Sequence, residues 1–122
     1  MSGVEGGAGV VPTLAGGAEP VVPEAWKPLS ALYTAAAKDV GGAFQTGRYR
    51  KNPWNIVEME GWVAMSPSNC FTLPVGYRPV AQQRFMGHGG GAGIALNVYP
   101  TGECSASAGE NMSLNGVNFS TE

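Results

Sequence analysis

The residues best suited to chemistry are few, and each lacks the partners its chemistry needs. His88-Gly-Gly-Gly91 has the form of the glycine-rich oxyanion loop of some esterases. That chemistry also requires a Gly-x-Ser-x-Gly nucleophile elbow and a histidine base elsewhere. No such elbow occurs, and His88 is the only histidine. The stretch Gly87–Gly93 therefore reads as a long loop tip between two strands, where glycine permits close backbone approach. The same glycines fail as a nucleotide site: no Gly-x-x-x-x-Gly-Lys occurs, and no Gly-x-Gly-x-x-Gly lies between a strand and a helix. The acidic residues are scattered, with no pair suggesting a glycosidase dyad. Cys70 and Cys104 are the only cysteines, without a CxxC or Cys/His cluster, so structural zinc lacks ligands. Both occupy strand positions that an apolar residue would serve, and reduced, buried thiols are the favoured reading over a disulfide. The chain is expected not to be an enzyme and to carry no cofactor or metal.

Arg48-Tyr-Arg-Lys51, with Trp54 close by, is the densest basic run. Basic residues beside aromatics can grip single-stranded nucleic acid. On a strand, however, Arg48 and Arg50 share one face while Tyr49 turns inward. Pairing with Glu58 or Glu60 on the next strand then makes an ordinary solvated surface. A net charge of −2 and a pI near 5.3 argue in the same direction, against phosphate neutralisation. The aromatics Trp26, Trp54, Trp62, Tyr77 and Phe119 read as core or subunit contacts rather than sugar platforms. No apolar run approaches the ~20 residues of a membrane span, and no basic patch precedes an apolar core as in a secretory signal. No membrane or nucleic-acid partner is expected, and maturation is expected in a cytoplasm.

The elements that would position these residues are short strands. At 122 residues the chain can build one modest core. Charged residues make up 13%, about half the ~25% usual for soluble domains, which suits surfaces that meet other protein surfaces. Nineteen glycines and nine prolines predict many turns. Strand signals run over 26–33, 43–50, 55–65, 70–73, 80–87, 93–99, 103–107 and 112–120. Val57, Met59, Gly61 and Val63 oppose Glu58, Glu60 and Trp62; Ile94, Leu96 and Val98 oppose Ala95, Asn97 and Tyr99. Pro100-Thr-Gly102 predicts a hairpin turn into Cys104. One region pulls the other way. Leu29, Leu32, Ala36 and Val40 follow helical spacing, with Pro28 suited to open a helix and Gly41-Gly42 to cap it.

The segment Phe71-Thr-Leu-Pro-Val-Gly-Tyr-Arg-Pro79 fits a structural cornerstone. Phe71 and Leu73 alternate about Thr72, Pro74 ends the ladder, and Val75-Gly76 allows a tight reversal. Together with Val57-Glu-Met-Glu-Gly-Trp-Val63, Ile94-Ala-Leu-Asn-Val-Tyr-Pro-Thr-Gly-Glu103 and Met112-Ser-Leu-Asn-Gly-Val-Asn-Phe-Ser120, it resembles a β-sandwich domain near the C-termini of bacteriophage tail fibres and minor structural proteins. The resemblance covers roughly the last three-quarters of the chain. It implies an all-β, jelly-roll-like antiparallel β-sandwich, usually a homotrimer and not an enzyme, over residues 26–122. It also makes residues 26–33 a strand followed by a loop, and we follow it there over the helical spacing.

Residues 1–25 are expected to form an extended N-terminal arm. They carry Glu5, Glu19 and Glu24 and no Lys or Arg. Alone the segment cannot bury enough apolar area to offset ordering its backbone, ~1–2 kcal/mol per residue. As a partner-binding arm it offers Val10, Val11, Leu14, Val21 and Val22 as anchors, with Pro12, Pro20 and Pro23 lowering the ordering cost. Fully extended it spans up to ~80 Å. The resulting expectation is a virion protein assembled in the host cytoplasm, a trimeric capsid decoration (minor capsid) protein. Val10, Val11, Pro12, Leu14, Val21 and Val22 would grip the major capsid protein, and Trp62, Leu73, Tyr77 and Phe119 would line the trimer seam. The alternative is a tail-fibre or baseplate receptor-binding tip that contacts host-surface glycans. Because no long shaft precedes the domain, decoration is the favoured expectation.

Overall fold

The computed structural model describes residues 22–88 and 93–121. Short strands dominate, as the turn-rich composition demands. In chain order they are β1 (Lys27–Pro28), β2 (Ala37–Asp39), β3 (Arg48–Lys51), β4 (Ile56–Glu60), β5 (Trp62–Met65), β6 (Asn69–Thr72), β7 (Gln83–His88), β8 (Gly93–Val98), β9 (Glu103–Ala106), β10 (Glu110–Ser113) and β11 (Asn118–Ser120), with one 3-10 turn over Leu29–Leu32. They form three sheets of order β1-β3-β4-β11, β10-β5-β2 and β6-β9-β8-β7. Every pairing is antiparallel. The protein is an all-β sandwich.

The first two sheets share a spine. β4 and β5 are consecutive, separated by Gly61, whose φ of +110° breaks the ladder. A Cβ there would sit 2.3 Å from the Thr46 carbonyl oxygen, so only glycine lets the 41–47 loop cross so closely. Opposite the kink, β10 and β11 are interrupted by a turn in which Gly61 N–H donates to Asn115 Oδ1 (2.9 Å) and Leu114 N–H donates to the Gly61 carbonyl (2.8 Å). The expected single strands 55–65 and 112–120 are therefore each two strands hinged at matching points.

The core lies between this bent double sheet and the β6-β9-β8-β7 sheet. Leu29, Val57, Val63, Phe71, Leu73, Ile94, Leu96, Val98, Met112 and Leu114 are fully buried. Each such side chain contributes about 1.5–3 kcal/mol through removal from water. The Val57–Val63 alternation holds: Val57, Met59 and Val63 are buried while Glu58, Glu60 and Trp62 are partly exposed. In β8 Ile94, Leu96 and Val98 are buried as expected, but Ala95 is buried with them, because that strand is covered on both faces there. At β6 alternation fails. A register shift between Asn69 and Phe71 turns Cys70 and Phe71 inward together. Both cysteines are free and buried.

Residues 26–40 form neither the expected strand nor the competing helix. The strand is two residues long and the helical stretch a single turn. Tertiary pairing supplies what a longer helix would have satisfied internally. Thr34 N–H donates to the Cys70 carbonyl (2.9 Å), and Ala37–Asp39 pair with Val63–Met65. Leu29 still fills the core, and Gly41 and Gly42 take positive φ in the loop after β2 rather than capping a helix.

Candidate functional site

The most heavily built surface lies where the N-terminal segment joins the sandwich. The expected boundary was Trp26, but among the described residues contacts with the head begin at Glu24. Glu24 Oε2 accepts the Lys51 N–H at 3.1 Å, and Tyr77 O–H donates to the same carboxylate, 2.8 and 2.7 Å from its two oxygens. Tyr77 is carried there by the Pro74–Tyr77 turn, closed by Tyr77 N–H donating to the Pro74 carbonyl (3.0 Å) with Gly76 at φ +98°. Its ring meets that of buried Tyr49 edge-on, with centroids 5.3 Å apart, and Lys51 Nζ lies 5.2 Å from the Tyr77 centroid. Burial, with the Glu24 hydrogen bond and charge adding to it, pushes the Tyr77 hydroxyl up to about 12. The group stays a proton donor through the physiological range. Its arrangement suits holding a carboxylate rather than exchanging a proton.

Two residues on, Trp26 lies against the outer face of β3. The Arg48 and Arg50 guanidinium carbons stand 4.6 and 4.2 Å from its ring centroid. Arg48 pairs with Glu60, and Arg50 Nε donates to Glu58 Oε1 at 2.9 Å. Asn52 Nδ2 donates to the other Glu58 oxygen at 3.2 Å. The basic run thus folds as its spacing predicted: Tyr49 inward, the two arginines outward and neutralised across the strand pair. Isolated exposed ion pairs contribute ~0–1 kcal/mol, but here both are shared with an aromatic ring and form a network.

A second feature is a cleft of about 490 Å³ between β7 and the β10–β11 edge, lined by residues that include Trp62, Arg84, Met86, Met112, Asn115 and Val117. Trp62 is partly buried and packs against exposed Phe44, with centroids 5.3 Å apart. Met86 is 72% exposed. Arg84 is exposed, and its Nη1 meets Asn97 Oδ1 at 3.3 Å. A shallower hollow holds Lys51, Asn55, Val75, Arg78, Pro100 and Thr121. There Arg78 is tied down, its Nε donating to the Leu73 carbonyl at 2.8 Å.

The expected binding residues divide sharply. Val10, Val11, Pro12, Leu14 and Val21 lie outside the described residues, as does most of the His88–Gly91 loop; Val22 is described and 61% exposed. Of the expected seam, Leu73 is fully buried and Phe119 is 5% exposed. Both are used within the chain's own core, Phe119 against Phe85 at 6.3 Å, and so offer a second copy almost no side-chain surface. Tyr77 belongs to the Glu24 contact, and Trp62 alone of the four lines an open cleft. Sequence reasoning missed Glu24, Met86 and Phe44. Glu24 and Tyr77 are 53 residues apart, with no local signal joining them. Burial raises both cysteine thiols, so neither is an activated thiolate. Among the described residues, no three His, Cys, Asp or Glu side chains gather as a metal would need, and no helix is long and apolar enough to cross a membrane. Compared with known proteins, the chain matches no family model, no curated protein and no solved structure.

Proposed function

We propose that this chain is a bacteriophage structural protein: a jelly-roll-like head that decorates the capsid as a homotrimer, attached to the major capsid protein through the segment ahead of Val22. The observation that carries this reading is the pinned root. Glu24 and Trp26 are fixed to β3 and Tyr77 by hydrogen bonds, ring contacts and paired charges. The segment ahead of Val22 thus joins the head at a fixed point, which is what a tether needs.

Attachment by several arms gains strength from avidity, since later contacts form within an already bound trimer. Apolar anchors spaced by prolines suit strand addition to a neighbouring sheet edge. The test is removal of residues 1–21, a cut that spares Glu24 and Trp26. The shortened chain is expected to keep its folded head, read by circular dichroism, and to lose co-sedimentation with expanded capsids. Undiminished co-sedimentation refutes the tether.

A further inference from the structure

We propose that the cleft between β7 and the β10–β11 edge receives residues 10–14 of a second copy of this chain as an added strand. This rests on the tether reading above and divides the segment: residues 10–14 join one copy to the next, and the rest of the segment ahead of Val22 is left to hold the capsid. Among the described residues, strands β7, β10 and β11 are each the last strand of their sheet. An end strand has one row of backbone N–H and C=O groups facing away from its own sheet, a template for another strand. The cleft lies between these edges, beside the point where Met112 packs against Gly87, and Trp62, Arg84 and Asn115 are among its lining residues. Its apolar surface comes from the partly exposed Trp62 and Phe85, with Met86 exposed at the rim; Met112 and Val117 are buried behind it.

The occupant follows from charge, pattern and reach. No residue lining the cleft is acidic and one is Arg84, whereas residues 1–21 contain Glu5 and Glu19 and no Lys or Arg. In Val10-Val11-Pro12-Thr13-Leu14, extended geometry puts Val10, Pro12 and Leu14 on one side, and an added edge strand tolerates a proline whose missing donor faces outward.

Reach selects a neighbour's cleft over the chain's own. β1 pairs Lys27 with Tyr49 and Pro28 with Arg48, so the chain traced back to Glu24 runs along β3 towards Lys51 and leaves at that end. Trp62 lies at the far end of the β4–β5 spine, and β11 is the opposite edge of the sheet. The own cleft is thus about 17 Å along the strands and about 14 Å across them, behind the direction of exit. The eight residues from Leu14 to Val22 reach about 26 Å at full stretch, which leaves almost no slack for the reversal. A second copy placed head to tail presents its cleft in the direction of exit, and repetition of that contact can close a ring.

Mixing a Leu14→Cys chain with a Met86→Cys chain under mild oxidation tests this on the full-length protein without any capsid. Cys70 and Cys104 are buried and do not compete. A dimer-sized product whose peptide map joins positions 14 and 86 is expected. The apolar contact is tested by Val10→Asp in the Leu14→Cys chain, expected to lower the yield about tenfold. A link confined to one chain in the Leu14→Cys/Met86→Cys double variant overturns the proposal. So does a 14–86 yield no higher than that of Leu14→Cys with Ala31→Cys, an exposed site outside the cleft. Loss of capsid binding with the 14–86 link intact sinks the capsid tether alone; capsid binding retained without the link sinks the cleft assignment alone.

Discussion

Replacing Tyr77 by Phe removes one hydroxyl and tests the clamp at the root of the N-terminal segment. That hydroxyl lies 2.8 and 2.7 Å from the two Glu24 oxygens. A hydrogen bond to a charged group contributes ~1.5–3 kcal/mol. Glu24 keeps the Lys51 N–H at 3.1 Å and can regain water, so the lower part of that range applies, about 1.5–2 kcal/mol. For a head of this size each 1 kcal/mol lowers Tm by roughly 4–8 °C. Glu24→Gln weakens the same contact from the other side. The double variant should therefore cost much less than the two single costs added, with a coupling of about 1 kcal/mol. Urea denaturation of the four proteins measures this directly. Chymotrypsin provides an independent reading, because a loosened root exposes the Trp26–Lys27 bond and speeds cleavage there. Single changes within about 0.5 kcal/mol of the parent, with additive effects and unchanged cleavage, would show that the clamp holds nothing.

Gly61→Ala is expected to destabilise the head by at least ~2–3 kcal/mol, read by urea denaturation, because it adds backbone strain at φ +110° to a Cβ 2.3 Å from the Thr46 carbonyl; a loss below about 0.5 kcal/mol contradicts the hinge. Alkaline titration followed by circular dichroism gives the other outcome. The Tyr77 hydroxyl titrates near 10 in the unfolded chain and near 12 in the folded one, and burial raises Tyr33 and Tyr49 in the same direction. The folded chain then binds more protons than the unfolded one above pH 10, so this stability is full below pH 10 and falls as pH climbs towards 12. Tyr77→Phe should make that fall shallower, and a stability that rises across the window contradicts the assignment.

Much of the sandwich was legible because strand alternation is local. The Val57–Val63 pattern specifies faces without reference to any other segment, Ile94, Leu96 and Val98 turned inward as expected although Ala95 is buried beside them, and the spacing of Arg48 and Arg50 anticipated their glutamate partners one strand away. What the sequence concealed depends on long-range pairing. The 29–40 region carries helical spacing, yet Phe71, Cys70 and β5 claim its backbone groups, so pairing overrode propensity. Leu73 and Phe119 were placed at a subunit seam because apolar type alone does not separate a core position from an interface position; both went to the core. The Glu24–Tyr77 clamp joins residues from two distant segments through a turn. The β7–β10 cleft exists only because two sheet edges meet.

Gel densitometry of purified particles, comparing this chain with the major capsid protein, tests most directly whether it serves as a repeated capsid attachment. Many copies per particle, in a fixed ratio to the capsid protein, are the expected result. A handful of copies, or none, would contradict it.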